Sequence, residues 1–407
     1  MKNVENENEE LLNKLNGDKI SDFDGVSLYP SSMYRVPGYI KGLPKPFYDG
    51  MTYEKLQECD YYFVEILIKK IGVDRNFSLV SEKNDEGVRI FNNNMNGKTI
   101  IVDKITLEDL IEFQKVEFDV IRGYTFNDGF NTTIKDVIYK MFTARLEKKK
   151  EKNPIQLVYK LLMNAGYGRT IMKEQETEDV YFNNNKKAFN FIELNYNNVV
   201  ECRQLMNDRK YVVRVRREIK SHQNYCHIGA MILSMSKRIM NEVICTAEDN
   251  GIEIFYQDTD SMHLYEKNIP QLRKVYNEKY GRELIGNDLG QFHTDFEMDT
   301  KDVGDVSSLL CVMLGKKCYL DVLKGDKSEA LECHIRLKGV STKSIKYTAK
   351  KIYGHKTETM NILHLYKDLY DGKKILFDLT CGGTVPTFET FDLLVRTRTE
   401  FMREIQF

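Results

Sequence analysis

Hydrophobic and polar positions follow two periods along the chain, and together these periods predict a mixture of helices and strands. Apolar residues recur at helical spacing over 134–152 and over 228–249, and each stretch predicts an amphipathic helix. Asn153 and Pro154 follow the first stretch. Because Asn is a good N-cap and Pro suits a first helical turn, we expect a second helix through Asn164 and hence a helical hairpin.

Strand-like alternation is found on both sides of these helices. Residues 19–29 predict a strand that runs into a turn closed by Pro30, and residues 252–265 predict a β-hairpin. Alternation over 180–220 predicts further strands, whereas the Pro and Gly residues of 31–50 predict a loop. Strands and helices in mixed order favour an α+β fold.

Length and charge limit the class of protein. A chain of 407 residues is expected to form two to four subdomains. Its 60 Lys and Arg residues balance 61 Asp and Glu residues, which excludes a polybasic protein whose whole surface holds nucleic acid. A basic channel offset by acidity elsewhere stays possible. The eight cysteines form no Cys-x-x-Cys pair, so a structural zinc site is not predicted.

The chain has no sequence feature of export or membrane insertion. No apolar run approaches the roughly 18 residues that cross a bilayer. Residues 1–10 are rich in Asn and Glu and lack the hydrophobic stretch of a signal peptide. We therefore expect a protein that is not secreted, has no membrane partner and stays in a cytosol-like compartment.

The first cluster of candidate chemistry is the run 24–30, Asp-Gly-Val-Ser-Leu-Tyr-Pro, with Asp22 two residues earlier on the same strand face. Asp24 would close a strand and hold a cation, while the turn after it can point backbone N–H groups at a phosphate. A lone Asp at a strand end is more often simply a turn-forming residue.

The second cluster is Lys160, Asn164 and Tyr167, which lie within about 60° on one helix face. A cation, an amide and an aromatic ring on one face suit a nucleoside triphosphate. Taken alone, the pattern is more often a solvated helix edge.

The third cluster is the run 256–261, in which Asp258 and Asp260 occupy a hairpin turn between apolar strands. Two carboxylates two residues apart face the same side, and like charges this close repel unless a divalent cation lies between them. About half of such pairs are ordinary turns.

The three clusters, in this order, resemble family B DNA polymerases, whose motifs read DxxSLYP, KxxxNxxYG and YxDTDS. A fourth run, Lys317-Cys318-Tyr319, is similar to the KxY motif of the protein-primed branch. The flanking sequence most resembles polymerases of large DNA viruses and of organellar linear plasmids. The resemblance implies a right-hand polymerase core with a palm built on an antiparallel sheet, helical fingers, a small thumb and two inserts.

The resemblance also implies a division of the chain into seven segments. They are a polar tail (1–18), palm (19–41), an insert of the terminal-protein-region type (42–130), the fingers hairpin (131–172), a second insert (173–224), palm (225–343) and thumb (344–407).

The sequence departs from the family pattern in two ways. Ala165 stands where the middle motif usually has Ser. The first motif starts at residue 24, whereas family members carry a proofreading exonuclease before it, so we expect no proofreading activity. Asp295 and Glu297 follow the third motif and are interpreted as surface acidity.

By resemblance, the site residues have assigned roles. Asp24, Asp258 and Asp260 would be catalytic, and with Gly25 they would hold two Mg²⁺ ions, or Mn²⁺ in their place. The nucleotide-binding residues would be Leu28, Tyr29, Arg145, Lys160, Asn164 and Tyr167. The residues that bind DNA or the primer would be Lys317, Tyr319, Arg214, Arg216 and Lys338. A solvated strand face is an equal alternative for the two arginines, and a core position is an alternative for Tyr319.

The expected function is therefore a template-directed DNA polymerase core that adds deoxynucleotides to a primer 3′-hydroxyl. A catalytically silent or split-polymerase subunit that acts as a DNA-binding or assembly factor is the alternative. A reverse transcriptase is disfavoured because its two Asp are adjacent, and Thr259 separates these. Expected partners are primer–template DNA, a dNTP, and a separate exonuclease or N-terminal subunit or a priming protein.

Overall fold

The structure is a computed structural model that describes residues 17–173, 176–205, 210–217, 224–354, 356–382 and 402–407. Contacts divide the chain into two compact units. The first comprises Met1–Ile171 and Tyr225–Arg336, and the second comprises Met172–Asn224 and Leu337–Phe407. The predicted polar tail lies outside the described residues as far as residue 16, so most of that prediction has no structural counterpart.

Strands and helices alternate irregularly along the described chain. The strands are, in chain order, β1 (Ile20–Gly25), β2 (Tyr39–Ile40), β3 (Lys45–Phe47), β4 (Tyr61–Lys70), β5 (Ser81–Lys83), β6 (Arg89–Phe91), β7 (Thr99–Asp103), β8 (Glu117–Phe126), β9 (Phe130–Asn131), β10 (Thr177–Phe182), β11 (Val199–Leu205), β12 (Lys210–Arg216), β13 (Ile254–Asp258), β14 (Ser261–Tyr265), β15 (Phe292–Thr294), β16 (Val306–Gly315), β17 (Cys318–Gly325), β18 (Leu331–Leu337), β19 (Ile375–Asp378) and β20 (Met402–Ile405). The α-helices are α1 (Leu28–Arg35), α2 (Tyr53–Gln57), α3 (Lys104–Gln114), α4 (Thr133–Lys150), α5 (Ile155–Ile171), α6 (Asn185–Leu194), α7 (Cys226–Asp249), α8 (Ile269–Tyr280), α9 (Thr342–Tyr353) and α10 (Glu358–Tyr370).

The central sheet of the first unit has the strand order β13-β14-β1-β16-β17-β18, and β15 also pairs with β1. The pairings of β1 with β14, β15 and β16 are antiparallel. Phe23 of β1 and Met262 of β14 are fully buried against Val243 of α7. Burial of these apolar side chains fixes the register of the two strands, because a slip by one residue would turn them to the other face.

The expected loop over 31–50 is wrong at its start, because α1 occupies Leu28–Arg35 and two short strands follow. Pro30 was expected to close the turn, yet it lies in the first turn of α1. Proline is tolerated there because an N–H group in the first turn has no acceptor within the helix. Met33 and Val36 pack this segment into the core.

Residues 45–126 build a separate sheet of order β3-β8-β4-β7 inside the first unit. The helix α3 of this segment spans Lys104–Gln114, and the side chain of its N-cap Asp103 accepts a hydrogen bond from Thr106 N. Leu107 and Leu110 pack against Val64 and Ile66 in a core of this segment's own.

The predicted hairpin of helices is present as α4 and α5, but α5 continues past Asn164 to Ile171. Gly166 and Gly168 weaken a helix locally, and for that reason the sequence favoured an earlier end. Burial of Met163 and Tyr167 on one face holds the extra turns in place.

The second unit contains a three-stranded sheet of order β10-β12-β11, and β19 pairs with β20. Continuous β structure over 180–220 was predicted, but α6 interrupts it at Asn185–Leu194, where the side chain of Asn184 caps the helix. An N-cap Asn followed by Phe and Ile at helical spacing was the signal that the alternation concealed. None of the described helices is both long and apolar enough to cross a lipid bilayer.

Candidate active site

Two carboxylates meet where β1 passes the turn between β13 and β14. Asp24 pairs in register with Ser261, and Asp258 pairs with Ser261 across the hairpin. Gly25 N donates to Asp260 O over 2.7 Å. These pairings place Asp24 beside Asp260, although the two are far apart in sequence.

Gly25 allows this close approach of the two segments. A Cβ atom at residue 25 would lie 3.3 Å from Asp260 O and 3.3 Å from the ring of Phe292. Both neighbouring turns carry backbone strain. Thr259, between β13 and β14, has φ 61°, and Ser27, between β1 and α1, has φ 47°. Left-handed conformations at residues other than Gly are costly and are concentrated at functional sites.

The electrostatics of the site oppose ionisation of both carboxylates. Burial, followed by the charges of Asp260, Asp295 and Asp22, raises the pKa of Asp24 from 3.8 to about 7. The pKa of Asp260 is also raised, mainly by burial and further by the charges of Asp258 and Asp295. Within the described residues, neither side chain forms an ion pair.

Asp295 belongs to this cluster and was missed from the sequence. It is exposed, as the surface interpretation expected, yet its charge acts on both Asp24 and Asp260. The pairing of β15 with β1 places it there, with His293 directly opposite Asp24. His293 Nε2 lies 3.4 Å from Asp295 Oδ1. A carboxylate directly after a short strand was the only sequence signal.

The donor set fits a divalent cation. Burial first, and then the charges of neighbouring carboxylates that include Asp295, raise the pKa values of Asp24 and Asp260. Carboxylate oxygens are the ligands that Mg²⁺ and Mn²⁺ prefer. A cation placed among the carboxylates would remove the repulsion that Asp24 and Asp260 otherwise experience.

The turn after Asp24 leads into the N-terminus of α1. The backbone N–H groups of Leu28 and Tyr29 lie in the first helical turn, where no intrahelical acceptor exists. Arg145 Nη1 of α4 donates to Ser27 Oγ over 2.9 Å. Arg145 Nε is buried without a hydrogen-bond partner among the described residues, and burial lowers the pKa of this guanidinium. A partly desolvated cation without a counter-ion suits an anionic ligand.

The motif residues of α5 divide between burial and exposure. Tyr167 is buried and stacks on Tyr29 with ring centroids 4.6 Å apart and an interplanar angle of 10°. Lys160 and Asn164 are exposed, and Lys160 forms no ion pair within the described residues. The structure thus joins the first and second motifs through two tyrosine rings.

The third and fourth motifs are joined at the tip of the β16–β17 hairpin. Lys317 Nζ donates to Asp258 Oδ1 over 2.7 Å and to Oδ2 over 2.8 Å. The ring of Tyr319 lies 5.1 Å from that of Tyr256 and is only 7% exposed. Asp258 therefore has a cationic partner, unlike Asp24 and Asp260.

Comparison with known proteins identifies the family. The family of type B DNA polymerases from organelles and viruses matches residues 8–250, which is more than half of the chain. The chain belongs to this family. The resemblance inferred from the four motifs is thereby confirmed.

Individual relatives of this polymerase family are distant. A DNA polymerase of Kluyveromyces lactis is 23% identical over 346 residues, covering 82% of this chain and 31% of the relative. A DNA polymerase of Acidianus bottle-shaped virus is 57% identical over 35 residues, covering 9% of this chain and 5% of the relative. The chain thus spans about a third of the length of the yeast relative.

Solved structures of Phi29 DNA polymerase share the fold. The complex with primer–template DNA and incoming nucleotide substrates superposes with a TM-score of 0.54 at 16% identity, covering 88% of this chain and 54% of that one. The complex with primer–template DNA alone gives a TM-score of 0.53 at 16% identity, covering 84% and 52%. The expected α+β polymerase core is confirmed by this similarity.

A cavity of about 420 Å³ lies beside the turn between β13 and β14 in this family member. Its lining includes Tyr29, Thr259, Gln257 and Lys237 of α7. Met240 of the same helix, a core residue, also lines the cavity. Lys237 is exposed and forms no ion pair within the described residues.

The remaining predicted DNA-binding residues lie in the second unit. Arg214 donates to Asp179 Oδ1 over 2.7 Å and to Oδ2 over 2.9 Å, so its charge is partly neutralised within the sheet. Arg216 on the same strand is exposed, as is Lys338 directly after β18. Lys220, from the same interval, lies outside the described residues.

Proposed function

We propose that this chain is the catalytic core of a template-directed DNA polymerase that adds deoxynucleotides to a primer 3′-hydroxyl. The observation that supports this best is the convergence of Asp24 and Asp260, produced by strand pairing and by the Gly25 N–H···O=C Asp260 bond. Carboxylates that form no ion pair within the described residues, next to a helix N-terminus and the half-buried Arg145, suit transfer of a nucleotidyl group between anionic reactants.

The residues around this convergence would divide the work of binding a dNTP. The N–H groups of Leu28 and Tyr29 would donate hydrogen bonds to phosphate oxygens, and Arg145 would add a cation whose partial burial strengthens its attraction for phosphate. Lys160, exposed on the neighbouring helix, would reach the terminal phosphates. The stack of Tyr29 on Tyr167 would form a flat floor beneath the sugar, where a 2′-hydroxyl meets the ring of Tyr29.

Two divalent cations, Mg²⁺ or Mn²⁺, would supply charge stabilisation for the attacking and leaving oxygens. Asp24 and Asp260 are the residues that would hold them, with Asp295 at the edge of the site. Asp258 would join them only if Lys317 leaves it. The backbone carbonyl of Gly25 completes the predicted ligand set.

DNA would enter on the side of the cavity. Lys237, with the polar side chains around it, suits the phosphate and bases of a template strand. Lys317, half exposed at its hairpin tip, would reach the primer terminus, whereas Tyr319 would act by packing on Tyr256. Phi29 DNA polymerase, whose fold is similar, was solved with primer–template DNA and incoming nucleotides.

Two further sequence predictions stay predictions. One is that this polypeptide does not trim primer 3′ ends, which incubation with Mg²⁺ and an end-labelled single strand would check. The other is a partner, either a separate exonuclease or N-terminal subunit or a priming protein, which affinity capture from the native source would check.

Primer extension with purified chain, Mg²⁺ and four dNTPs tests the proposal. Asp24→Asn and Asp260→Asn should each lose at least about 10²-fold in rate, the loss typical of one electrostatic stabiliser, while still binding primer–template. Asp326→Asn, on a hairpin outside the cluster, serves as the control. An inactive wild type that still binds DNA would support the alternative of a binding or assembly factor.

A further inference from the structure

Lys317 links the β16–β17 hairpin to the β13–β14 hairpin by hydrogen bonds. It lies between β16 and β17 in a left-handed backbone conformation with φ 59°. Its N–H donates to Tyr256 Oη over 2.8 Å, and its ammonium group donates to both carboxylate oxygens of Asp258. One residue thus makes three hydrogen bonds to the strand that carries the YxDTDS motif.

Both oxygens of Asp258 are occupied in this arrangement. Oδ1 accepts from Lys317 and from Thr259 Oγ1 at 3.1 Å, and Oδ2 accepts from Lys317 and from Tyr256 Oη at 3.5 Å. The Asp258 side chain is only 18% exposed, whereas that of Lys317 is 52% exposed. The Lys317 side chain is therefore more open to solvent and to a ligand than the Asp258 side chain is.

Asp24 and Asp260 differ from Asp258 in this respect. Within the described residues neither side chain forms an ion pair, although the charge of Lys317 also acts on Asp260. A carboxylate that already accepts two hydrogen bonds from an ammonium group has to give them up before it binds a metal ion. Asp24 and Asp260 can therefore bind a cation directly, whereas Asp258 has to lose its ion pair with Lys317 first.

We propose that Lys317 is the counter-ion of Asp258 while no nucleic acid is bound, and that a primer phosphate draws the ammonium group away and frees Asp258 for a divalent cation. The proposal rests on the proposed function and adds an order to it, in which DNA binds before the metal site is complete. Lys317 is thus a positioning residue for Asp258. The exchange requires a rotation of the Lys317 side chain, which is 52% exposed.

Binding of Tb³⁺ to the DNA-free protein tests this without reference to catalysis. Tb³⁺ takes the oxygen ligands of divalent cations, and its luminescence is sensitised by nearby tyrosine, which Tyr256 supplies. Lys317→Met should tighten Tb³⁺ binding by about three- to tenfold, because a partly exposed ion pair that competes with the ion is lost. Lys317→Arg keeps the cation and should bind as the wild type does.

Two controls distinguish the Lys317–Asp258 ion pair from a general effect of positive charge. Lys316→Met removes an equal charge one residue away, from an exposed side chain, and should change the affinity by less than about twofold. The gain of Lys317→Met should vanish when Asp258→Asn is added, because the freed carboxylate is then absent.

Saturating primer–template should reduce the difference between wild type and Lys317→Met to less than about twofold. Equal effects of Lys317→Met and Lys316→Met without DNA would overturn the counter-ion role. A difference that persists unchanged with DNA would overturn the release by primer. Failure of the wild type in primer extension, with the Tb³⁺ results as expected, would refute the proposed function and leave the counter-ion role standing.

Discussion

Replacing Asp24 with Asn should stabilise the metal-free protein while it abolishes primer extension. The side chain is half buried, and burial together with neighbouring carboxylates raises its pKa from 3.8 to about 7. An amide of the same shape carries no charge, so it avoids both the desolvation cost and the repulsion from Asp260 and Asp295. The site residue is thus expected to oppose folding when no cation is bound.

The magnitude and its pH dependence follow from the shift. About three pKa units at about 1.4 kcal/mol each give an upper bound of about 4 kcal/mol. Because the carboxyl group is partly exposed to solvent, screening reduces this to about 1–2 kcal/mol. Below pH 3.8 the carboxyl is protonated in both states and the variant gains nothing. Between pH 3.8 and 7 the unfolded chain loses the proton first, so native Asp24 becomes increasingly unfavourable.

Urea unfolding in EDTA at pH 5 and pH 8 measures this. The gain of Asp24→Asn should be small at pH 5 and reach about 1–2 kcal/mol at pH 8. Saturating Mg²⁺ should reverse the sign, because only the wild type retains the full ligand set. Asp258→Asn is the matched control, and it should gain nothing at pH 8 because it loses the ion pair with Lys317. A gain that is independent of pH, or absent at pH 8, would refute the electrostatic reasoning.

Three other substitutions test separate parts of the structure. Tyr29→Ala should raise ribonucleotide incorporation relative to dNTP use, since its ring would exclude a 2′-hydroxyl; a fixed ratio in single-nucleotide extension would assign sugar selection to another residue. Arg216→Glu should reduce the slope of log affinity for primer–template against log salt concentration by about 0.9, the value for one lost phosphate contact. Arg214→Gln should change this slope less, because Arg214 is already paired with Asp179. Equal effects of the two variants in binding titrations would contradict this. Asp321→Ala should destabilise the protein by about 3–5 kcal/mol at neutral pH. The substitution removes the carboxylate that lies 3.1 Å from Nε2 of the buried His263. An unchanged midpoint of urea unfolding would contradict a stabilising role for this buried pair.

The buried pair in the last test is a structural element beneath the site. His263 and Asp321 are both fully buried, and His263 Nδ1 lies 3.8 Å from Asp22 Oδ1. Burial alone would lower the pKa of His263, but the hydrogen bond and charge of Asp321, with the charge of Asp22, raise it above its ordinary value. A raised histidine pKa adds stability below the unfolded value that is lost as pH rises through the folded value.

The sequence by itself determined the elements whose signals are local. The periods of α4 and α7 appeared in the pattern because their buried faces repeat every three to four residues. The sequence also revealed the candidate site residues, because each motif is a short run with unusual chemistry. These residues are Asp24, Lys160, Asp258 and Asp260. The α+β class followed from the mixture of the two periods.

Local pattern was misleading where two signals competed. The helix α1 was missed because Pro30 indicates a break, whereas its place in the first turn makes it harmless. The helix α6 was missed because a polar run between strands resembles an edge strand of a sheet. Only its Asn184 cap and two apolar rings indicate a helix. Packing decided both cases, since each helix is stabilised by contacts with residues distant in sequence.

Only the tertiary structure decided which charged groups meet. Pairing of β15 with β1 brings Asp295 into the field of Asp24, and the β16–β17 hairpin brings Lys317 onto Asp258. No spacing within the sequence encodes these encounters, because the strand order of a sheet depends on how distant segments bury their apolar faces together. The same physics decides their consequence. The energy of a charge depends on its solvent exposure and on its neighbours, and both are set by the fold, so that Asp24 and Asp260 are left unpaired while Asp258 has a partner.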